Sequence, residues 1–364
     1  MPYNVIITWR SRFSVSVTDM TTLVCKNAIY CVICFINMMV TVPVEELEKY
    51  YKTVRTEKTG IVLRVQALAG RVVRDWLDSH GFLELLPPII GPVTDPGIRG
   101  AKQVSIDYYG REYKVMSSAI LYKQMLATAF GKIYFFSPNI RLEPLEAATT
   151  GRHLAEFVQI DIEEADVDYR AAMSTAERLL SHIVNTVARE GAPLLEKLGR
   201  KLPHFNPPFK KITHAEAVEI LRQHGENVNP SAEIPWPQEE KLSKIIGEPF
   251  FITDYPRGAR GFYDREDPDR PGILKDFDLL YPEGYGEAAS GAEREYEYSK
   301  VLARLRESGE NPAKYGWYLE MLREGINPTS GFGIGVERLT RYLCGLRAVW
   351  EARPYPKVPG VYSP

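Results

Sequence analysis

This 364-residue chain has 45% hydrophobic and 25% charged residues, which is the composition of a globular protein with room for one large domain or two ordinary ones. Its 45 basic and 47 acidic residues give a formal net charge of -2, and no run of lysine or arginine is visible. That balance disfavours a large nucleic-acid footprint. Four cysteines are too few for a disulfide framework, so we expect a reducing, cytoplasmic environment.

The first 42 residues differ from everything that follows. Residues 21–42 are apolar but include three strongly polar side chains, Lys26, Asn27 and Asn37, which are costly inside a membrane. The stretch also lacks the short apolar core and cleavage site of a signal peptide. A buried pair of strands is one interpretation, and a true start at Met38 or Met39 is the one we favour. We predict no membrane association.

From residue 43 the pattern becomes regular. Residues 60–79 keep helical spacing and predict an amphipathic helix, with a buried side formed by Ile61, Val65, Leu68, Ala69, Val72, Val73 and Trp76. Gly81 ends this helix. The next residues read GFLELLPPII, a short apolar run with Pro88 before a strand-like pair of isoleucines.

Residues 114–130 read KVMSSAILYKQMLATAF and predict a strand end that turns into a helix. Ser117 or Ser118 would cap the helix at its N-terminus. Lys123 is a polar residue on this helix, and on spacing alone it would be an ordinary solvent-exposed lysine.

Residues 140–163 read IRLEPLEAATTGRHLAEFVQIDIE and predict a hairpin with charged groups gathered on one patch of sheet. Arg141 and Glu143 are two residues apart on one strand, so they share a face. The loop ends in Arg152 and His153, and one face of the second strand carries Phe157, Gln159 and Asp161. Guanidinium groups bind phosphate, a carboxylate accepts from an exocyclic amine, and an aromatic ring stacks on a base, so this set suits a nucleoside triphosphate. An ordinary hairpin with surface ion pairs is the alternative.

Two less informative stretches follow. Residues 169–190 predict a long helix whose buried side is Ala172, Leu179, Leu180, Ile183 and Val187. Residues 195–250 are irregular and rich in proline, although Thr213 and Glu216 form a capping box that opens a helix ending at Gly225.

The stretch 275–295 reads KDFDLLYPEGYGEAASGAERE and supplies oxygen ligands of the kind that magnesium prefers. Asp278, Glu287 and Ser290 are the candidate metal ligands, and Arg294 follows on the next element. A surface loop that leads into a charged helix is the alternative interpretation.

Residues 331–339 read GFGIGVERL and predict a strand followed by a helix to about residue 346. No strand–helix–strand unit surrounds the glycines, which argues against a dinucleotide-binding fold. Alternation places Gly331, Gly333 and Gly335 on one strand face, where a flat ligand or a backbone can approach closely. Arg338 lies where the helix begins.

These stretches, in this order, resemble motifs 1, 2 and 3 of the class II aminoacyl-tRNA synthetases, in the form used by the aspartyl/asparaginyl branch. Residues 81–90 resemble motif 1, the hairpin resembles motif 2, and the glycine-rich strand resembles motif 3. The resemblance implies an α+β fold, with an antiparallel sheet flanked by helices, and a homodimer formed through residues 60–90. It divides the chain into residues 1–42, a catalytic domain at 43–350 with an insertion at about 195–250, and a tail at 351–364.

Carried over residue by residue, the resemblance implies an ATP site. Arg141 would hold the α-phosphate, Glu143 the adenine amine, and Arg152 and His153 the γ-phosphate. The base would lie between Phe157 and Arg338. Arg141 and Arg338 would be the catalytic residues, because adenylate formation needs positioning and charge neutralisation more than covalent chemistry.

The same resemblance implies the metal and amino-acid sites. The family binds Mg²⁺ through the equivalents of Glu287 and Ser290, to which we add Asp278. The aspartate-reading set is Lys123, Asp161, Arg294 and Ser118. Ala119 and Ile120 stand where the family has proline and glutamine, which is a departure at the ammonium position. Two cations suit a substrate with two carboxylates, so aspartate is the predicted substrate.

We see no five-strand pattern before residue 60 for the anticodon-binding barrel of full-length synthetases. The chain therefore resembles the archaeal asparagine synthetases related to asparaginyl-tRNA synthetase, which adenylate aspartate with ATP and let ammonia displace AMP. On this interpretation the partners are ATP, aspartate and ammonia, and tRNA is not expected. The first alternative is an aspartyl- or asparaginyl-type aminoacyl-tRNA ligase without its own anticodon-binding domain. The second is a paralogue that binds ATP without catalysis.

Overall fold

The computed structural model describes residues 41–95 and 101–364, and the chain from Thr41 to Pro364 forms one compact unit. The apolar segment of the first 40 residues and the proposed start at Met38 or Met39 lie outside the described residues. Within the described ranges, no helix combines the length and apolar character needed to cross a membrane.

The α-helices of the described residues range from a single turn to more than five turns. In chain order they are α1 (Val44–Glu48), α2 (Tyr50–Thr53), α3 (Glu57–Ser79), α4 (Ile120–Phe130), α5 (Tyr169–Glu190), α6 (Ala192–Lys197), α7 (His214–Gln223), α8 (Trp236–Ile246), α9 (Tyr298–Glu307), α10 (Gly316–Glu324) and α11 (Val336–Cys344). Short 3-10 turns cover Leu145–Thr150, Arg257–Ala259, Pro312–Tyr315 and Val349–Ala352.

The strands form a large sheet and a small one. They are β1 (Leu83–Glu84), β2 (Ile90–Gly91), β3 (Ser105–Tyr108), β4 (Arg111–Val115), β5 (Lys132–Ile140), β6 (Glu156–Ala165), β7 (Lys210–Thr213), β8 (Phe250–Thr253), β9 (Asp276–Tyr281), β10 (Gly286–Glu293) and β11 (Thr329–Gly335). In the described part of the chain, the large sheet has the order β1-β5-β6-β11-β10-β9-β8-β7, and the small one has the order β2-β4-β3. The large sheet is antiparallel except at its two edges, where β1 pairs with β5 and β7 with β8 in parallel. The predicted α+β class with an antiparallel-dominated sheet is confirmed.

Helices α3 and α5 cover one face of the large sheet, as their apolar spacing predicts. Every side chain that we expected on the buried side of either helix is buried. The side chain of Thr56 accepts a hydrogen bond from the amide of Thr59 at the start of α3, and Asp168 does the same for Ala171 at the start of α5. These helices share one hydrophobic core with inward-facing residues of the sheet, among them Ile160, Ile162, Phe277, Phe332 and Ile334.

At β6, β10 and β11 the other face of the sheet carries polar side chains, which alternate along each strand with the core residues. On β6, Ile160 and Ile162 enter the core, whereas Phe157, Gln159 and Asp161 line a cavity on the opposite face. The predicted division of this strand into two faces is confirmed. Its physical basis is the period of two that places all core residues of one strand on the same side.

The first half of the predicted hairpin is wrong in its boundary. Strand β5 ends at Ile140, so Arg141 and Glu143 lie just after the strand and not within it. The amide of Arg141 still donates to the carbonyl of Ala155, at 2.9 Å. Leu142 then forms an isolated bridge with Lys102. Arg141 and Glu143 nevertheless both line the cavity.

The glycines of β11 make room for neighbouring side chains as well as for a ligand. A Cβ on Gly331 would lie 2.1 Å from Oε2 of Glu163, and a Cβ on Gly333 would lie 3.1 Å from Oδ1 of Asp161. Gly333 and Gly335 line the cavity. The close approach predicted at these glycines is therefore made in part by the Glu163 and Asp161 carboxylates of β6, which occupy the space above β11.

The predicted insertion at 195–250 is part of the sheet. Strands β7 and β8 extend the sheet beyond β9, and α8 contacts β9 and β10. The capping box of α7 is present, although the helix ends at Gln223 and not at Gly225. The C-terminal residues 351–364 also pack on the domain, because the amide of Ala155 donates to the carbonyl of Lys357 at 2.7 Å.

We expect Gly331→Ala to lower the free energy of unfolding by about 1 to 3 kcal/mol, because the methyl group would overlap the Glu163 carboxylate and the backbone of β6. The matched control is Gly335→Ala on the same strand, where the nearest atom would be 3.7 Å away. Urea unfolding of both variants tests this, and equal losses would contradict it.

Candidate active site

The polar face of the sheet opens into a cavity of about 840 Å³. Its walls come from β6, β10 and β11, from the segment before α4, and from the 233–264 region. The predicted site residues on its walls are Ser118, Lys123, Arg141, Glu143, Arg152, His153, Phe157, Asp161, Glu287, Ser290, Arg294 and Arg338. Four of the stretches that the sequence singled out, 114–130, 140–163, 275–295 and 331–339, therefore converge on one cavity, and Asp278 is the predicted site residue that is not on its walls.

Arg141 and Phe157 lie together at one end of the cavity. The guanidinium carbon of Arg141 is 5.0 Å from the centre of the Phe157 ring, within cation–π range. Its Nε donates to the carbonyl of Ser117 at 3.0 Å, which leaves the two terminal nitrogens to bind an anion. Burial raises the pKa of Glu143, and the charges of Arg141 and Arg338 oppose that shift.

Arg338 is in the first turn of α11, directly after the glycine-rich strand. Its Nη1 forms an ion pair with Oε2 of Glu287 at 3.0 Å. This ion pair links Arg338, which we expect over the adenine, to Glu287, which we expect at the metal. Both side chains are partly exposed to the cavity, so the pairing leaves them accessible to a ligand.

Arg152 and His153 follow Gly151, whose φ of 65° turns the chain after the 3-10 turn. Arg152 is buried and pairs with Glu239 of α8 at 3.2 Å. Nδ1 of His153 is 2.7 Å from the hydroxyl of Thr150. Burial, together with the positive charges of Arg338 and Arg152, lowers the pKa of His153 to about 3. The ring is therefore neutral above that pH in the protein without nucleotide, and the role of His153 at the γ-phosphate stays a prediction.

Of the three predicted metal ligands, Asp278 is placed differently from Glu287 and Ser290. Asp278 is buried and its Oδ2 accepts from Arg260 at 2.6 Å, while the same guanidinium lies 3.4 Å from Ser290. Asp278 is thus paired with an arginine and does not line the cavity, so its place among the metal ligands stays a prediction that these contacts do not support. Glu287 and Ser290 remain on the cavity wall. In the described part of the chain, no group of three or more His, Cys, Asp or Glu residues forms a complete metal cage. Magnesium bound with nucleotide phosphates needs only one or two protein ligands, and this oxygen pair fits that requirement.

Ser118 and Lys123 come from the start of α4. The helix begins at Ile120 with Ala119 at the N-cap, so the predicted serine cap is wrong, although Oγ of Ser118 accepts from the amide of Ile120 at 3.3 Å. Lys123 is 2% exposed, so it is not a surface lysine. Its ammonium group donates to Oδ1 of Asp161 and to the carbonyl of Phe332, both at 3.2 Å.

Arg294 is buried at the same end of the cavity as Lys123. It binds both carboxylate oxygens of Glu163, at 3.0 and 3.2 Å, and Oδ1 of Asp264 at 3.1 Å. It also donates to the carbonyl of Gly331 at 2.9 Å. Asp161, Glu163 and Asp264 therefore already balance Lys123 and Arg294 before a ligand enters, and the binding of two substrate carboxylates by these cations stays a prediction.

One protein-family profile matches most of this chain. The profile of the family described as tRNA synthetases class II (D, K and N) matches residues 44–359. The chain belongs to this family of class II tRNA synthetases.

Relatives within the class II family agree in sequence and in fold. The asparagine–tRNA ligase of Pyrococcus horikoshii is 33% identical over 314 residues, which is 85% of this chain and 71% of that ligase. The ligase of Thermococcus kodakarensis is 33% identical over 315 residues, 85% of this chain and 72% of its own. The solved P. horikoshii asparaginyl-tRNA synthetase, complexed with asparaginyl-adenylate, matches with a TM-score of 0.84 and 32% identity over 88% of this chain and 74% of that chain. The aspartyl tRNA synthetase of Entamoeba histolytica matches with a TM-score of 0.74 and 28% identity over 88% and 62%.

Several residues of this class II synthetase site escaped the sequence analysis. Glu163 continues the alternation of Phe157, Gln159 and Asp161, so extending that pattern by two residues would have found it. Glu239 on α8 and Arg260 after the 3-10 turn belong to no motif, and no pattern in the sequence links them to Arg152 or Asp278.

The depressed pKa of His153 predicts a pH dependence of stability. As the pH falls below about 6.5, the unfolded chain binds a proton at this histidine and the folded synthetase does not, so stability is lost by at most about 1.4 kcal/mol per pH unit until about pH 3. We therefore expect His153→Gln to lose stability less steeply than the wild type on acidification. Urea unfolding between about pH 7 and 4.5 measures the two slopes, and parallel slopes would contradict the assignment.

Proposed function

We propose that this chain is the catalytic part of an asparagine-type aminoacyl-tRNA ligase: it activates asparagine with ATP as asparaginyl-AMP and transfers the amino acid to tRNA. The observation that carries the proposal is the convergence of Arg141, Phe157, Glu287 and Arg338 on one cavity. The match to relatives of that name over 85% of the chain supports the choice of reaction.

The ATP end is argued from the charges on the walls. Arg141 lines the cavity beside Phe157, and its two terminal guanidinium nitrogens would hold the α-phosphate as the negative charge on it grows. Phe157 and Arg338 would bracket the adenine, and Glu143 would accept from its amine. Arg152 would hold the terminal phosphates, and the neutral ring of His153 would donate a single hydrogen bond to them.

Glu287 and Ser290 would hold Mg²⁺ together with the phosphates. The ion would neutralise phosphate charge during the in-line attack. The chain's own part is to orient the amino-acid carboxylate and the α-phosphate and to keep water away from them.

The amino-acid end favours a neutral side chain. Lys123 and Arg294 face three carboxylates, Asp161, Glu163 and Asp264, so a second substrate carboxylate would enter a region without excess positive charge. Oδ2 of Asp161 is buried and has no hydrogen-bond partner among the described residues. It is suited to accept from a donor on the substrate, either the ammonium group or a side-chain amide.

This proposal replaces the asparagine synthetase interpretation. The related proteins and solved structures are aminoacyl-tRNA ligases and synthetases, and none of them supports an ammonia-dependent reaction. The first alternative of the sequence analysis is thus the better supported one. The expectation that tRNA is not a partner has no support either, and tRNA becomes the proposed acceptor.

Amino-acid-dependent exchange of labelled diphosphate into ATP is the test of this function. We expect exchange with asparagine, weaker exchange with aspartate, and a loss of about 100-fold in Arg338→Gln, because that variant removes a charge from the nucleotide site. Arg178→Gln, on the exposed side of α5, is the matched control and should leave the rate unchanged.

Two further arms separate the alternatives. Labelled asparagine attached to total tRNA supports the ligase, whereas free asparagine formed from aspartate, ATP and ammonium would restore the asparagine synthetase interpretation. Strong preference for aspartate in the exchange would overturn the substrate assignment. Absence of exchange with either amino acid would indicate the non-catalytic paralogue.

A homodimer through residues 60–90 is the second part of the proposal. Leu86 and Ile89 lie in the segment between β1 and β2 and are 93% and 59% exposed, which is unusual for two large apolar side chains so close in the chain and is typical of an interface. We expect Leu86→Asp to shift the protein from dimer to monomer in light scattering. Tyr362→Asp, at another residue that is 93% exposed, is the control, and an unchanged mass for Leu86→Asp would contradict this interface.

A further inference from the structure

We propose that Glu239 is the counter-anion that the terminal phosphates of ATP displace from Arg152, and that it thereby weakens the hold on the diphosphate product. This inference rests on the proposed function, since it takes Arg152 as the group that binds the terminal phosphates. It assigns a role to the insertion, which the motifs leave without one.

The position of Arg152 is closely confined. A Cβ on Gly286 would lie 2.6 Å from Nη2 and 2.9 Å from the guanidinium carbon of Arg152, and Gly286 has a φ of 71°. Glycine at 286 is therefore needed for the guanidinium to lie against the start of β10. Trp236 closes the other side, where its carbonyl accepts from Nη1 at 3.5 Å.

Glu239 is the carboxylate that pairs with the confined guanidinium of Arg152. Its Oε2 is 3.2 Å from Nη2 of Arg152, and its side chain is 11% exposed. Nε of Arg152 is buried and has no hydrogen-bond partner among the described residues. The guanidinium therefore carries one carboxylate, one carbonyl and an unused donor, which is an incomplete set for a buried arginine.

Both residues line the same cavity as Glu287 and Arg338, so Arg152 is placed to reach a ligand there. A phosphate group that approaches Arg152 meets the Glu239 carboxylate on the same guanidinium. Two anions on one cation repel each other, so the phosphate must take over donors that Glu239 now uses.

The acidity of Glu239 is consistent with such an exchange. Burial raises its pKa, and the charge of Arg152 is the largest influence that lowers it. Glu287 and Asp278 raise the pKa further. A phosphate that neutralises Arg152 therefore removes the main stabilisation of the Glu239 anion, and the exchange has a cost that is recovered when diphosphate leaves.

A purely structural salt bridge predicts a different outcome. If Glu239 only held Arg152 in place, its removal would loosen the guanidinium and weaken phosphate binding. If Glu239 competes with phosphate, its neutralisation strengthens that binding. The sign of the change in affinity therefore decides between the two roles.

The experiment is calorimetric titration of inorganic diphosphate, at constant Mg²⁺, into the wild type and Glu239→Gln. Glutamine keeps an oxygen that accepts from Arg152 but carries no charge, so we expect the Kd for diphosphate to fall about tenfold. The KM for asparagine in the exchange assay should stay unchanged. Glu240→Gln is the matched control, because Glu240 pairs with Lys244 on the outside of α8.

Two further variants keep the test decisive. Glu239→Asp withdraws the carboxylate from Arg152 and should tighten diphosphate binding by a smaller factor, so it carries the test if Glu239→Gln fails to fold. In an Arg152→Gln background, Glu239→Gln should give a smaller gain, because the shared cation is absent.

The outcomes are distinguishable. An unchanged or raised Kd in Glu239→Gln, with exchange activity intact, overturns the inference and leaves the proposed function standing. A wild type that neither exchanges diphosphate nor binds it overturns both.

Discussion

The buried guanidinium of Arg294 is the interaction on which the rest of the site depends. It connects β6 through Glu163, β11 through the carbonyl of Gly331, and the segment after α8 through Asp264. Removing an arginine from water costs several kcal/mol unless its donors are satisfied, and here a bidentate carboxylate, a second carboxylate and a carbonyl satisfy them. Because these partners come from separate parts of the chain, the sheet and the 254–275 region are held at one spacing, and the cavity forms at that spacing.

The same principle recurs along the cavity. Several cations on the cavity wall already have an acidic partner, as the pairs Lys123–Asp161, Arg152–Glu239, Arg338–Glu287 and Arg260–Asp278 illustrate. Unpaired, these groups would be destabilising in a buried site. The walls are therefore close to electrically balanced before any ligand enters, and ligands bind by exchanging partners.

Much of the fold could be predicted from periodicity, since α3 and α5 have one buried and one exposed side and β6 has one apolar and one polar face. The site residues on recognisable motifs were also predictable as members of one cavity. The ion pairs between these residues and their partners could not be predicted. Arg260 pairs with Asp278, which the sequence placed among the metal ligands, and the surroundings of His153 keep its ring neutral. Both effects arise from contacts between segments far apart in sequence, which local patterns do not record. The predicted end of the strand β5 was wrong for a related reason, because the bridge from Leu142 to Lys102 draws the chain away from the sheet.

The attachment of β8 and β7 to the edge of the large sheet has a consequence for how this protein can vary. A surface excursion can be shortened without exposing backbone, but removal of these strands would leave the hydrogen-bonding groups of β9 open along an edge that invites aggregation. It would also remove the wall that carries Trp236 and Glu239. Length changes in this region are therefore tolerable in the turns around α7, on the side facing solvent, and not in the strands that complete the sheet.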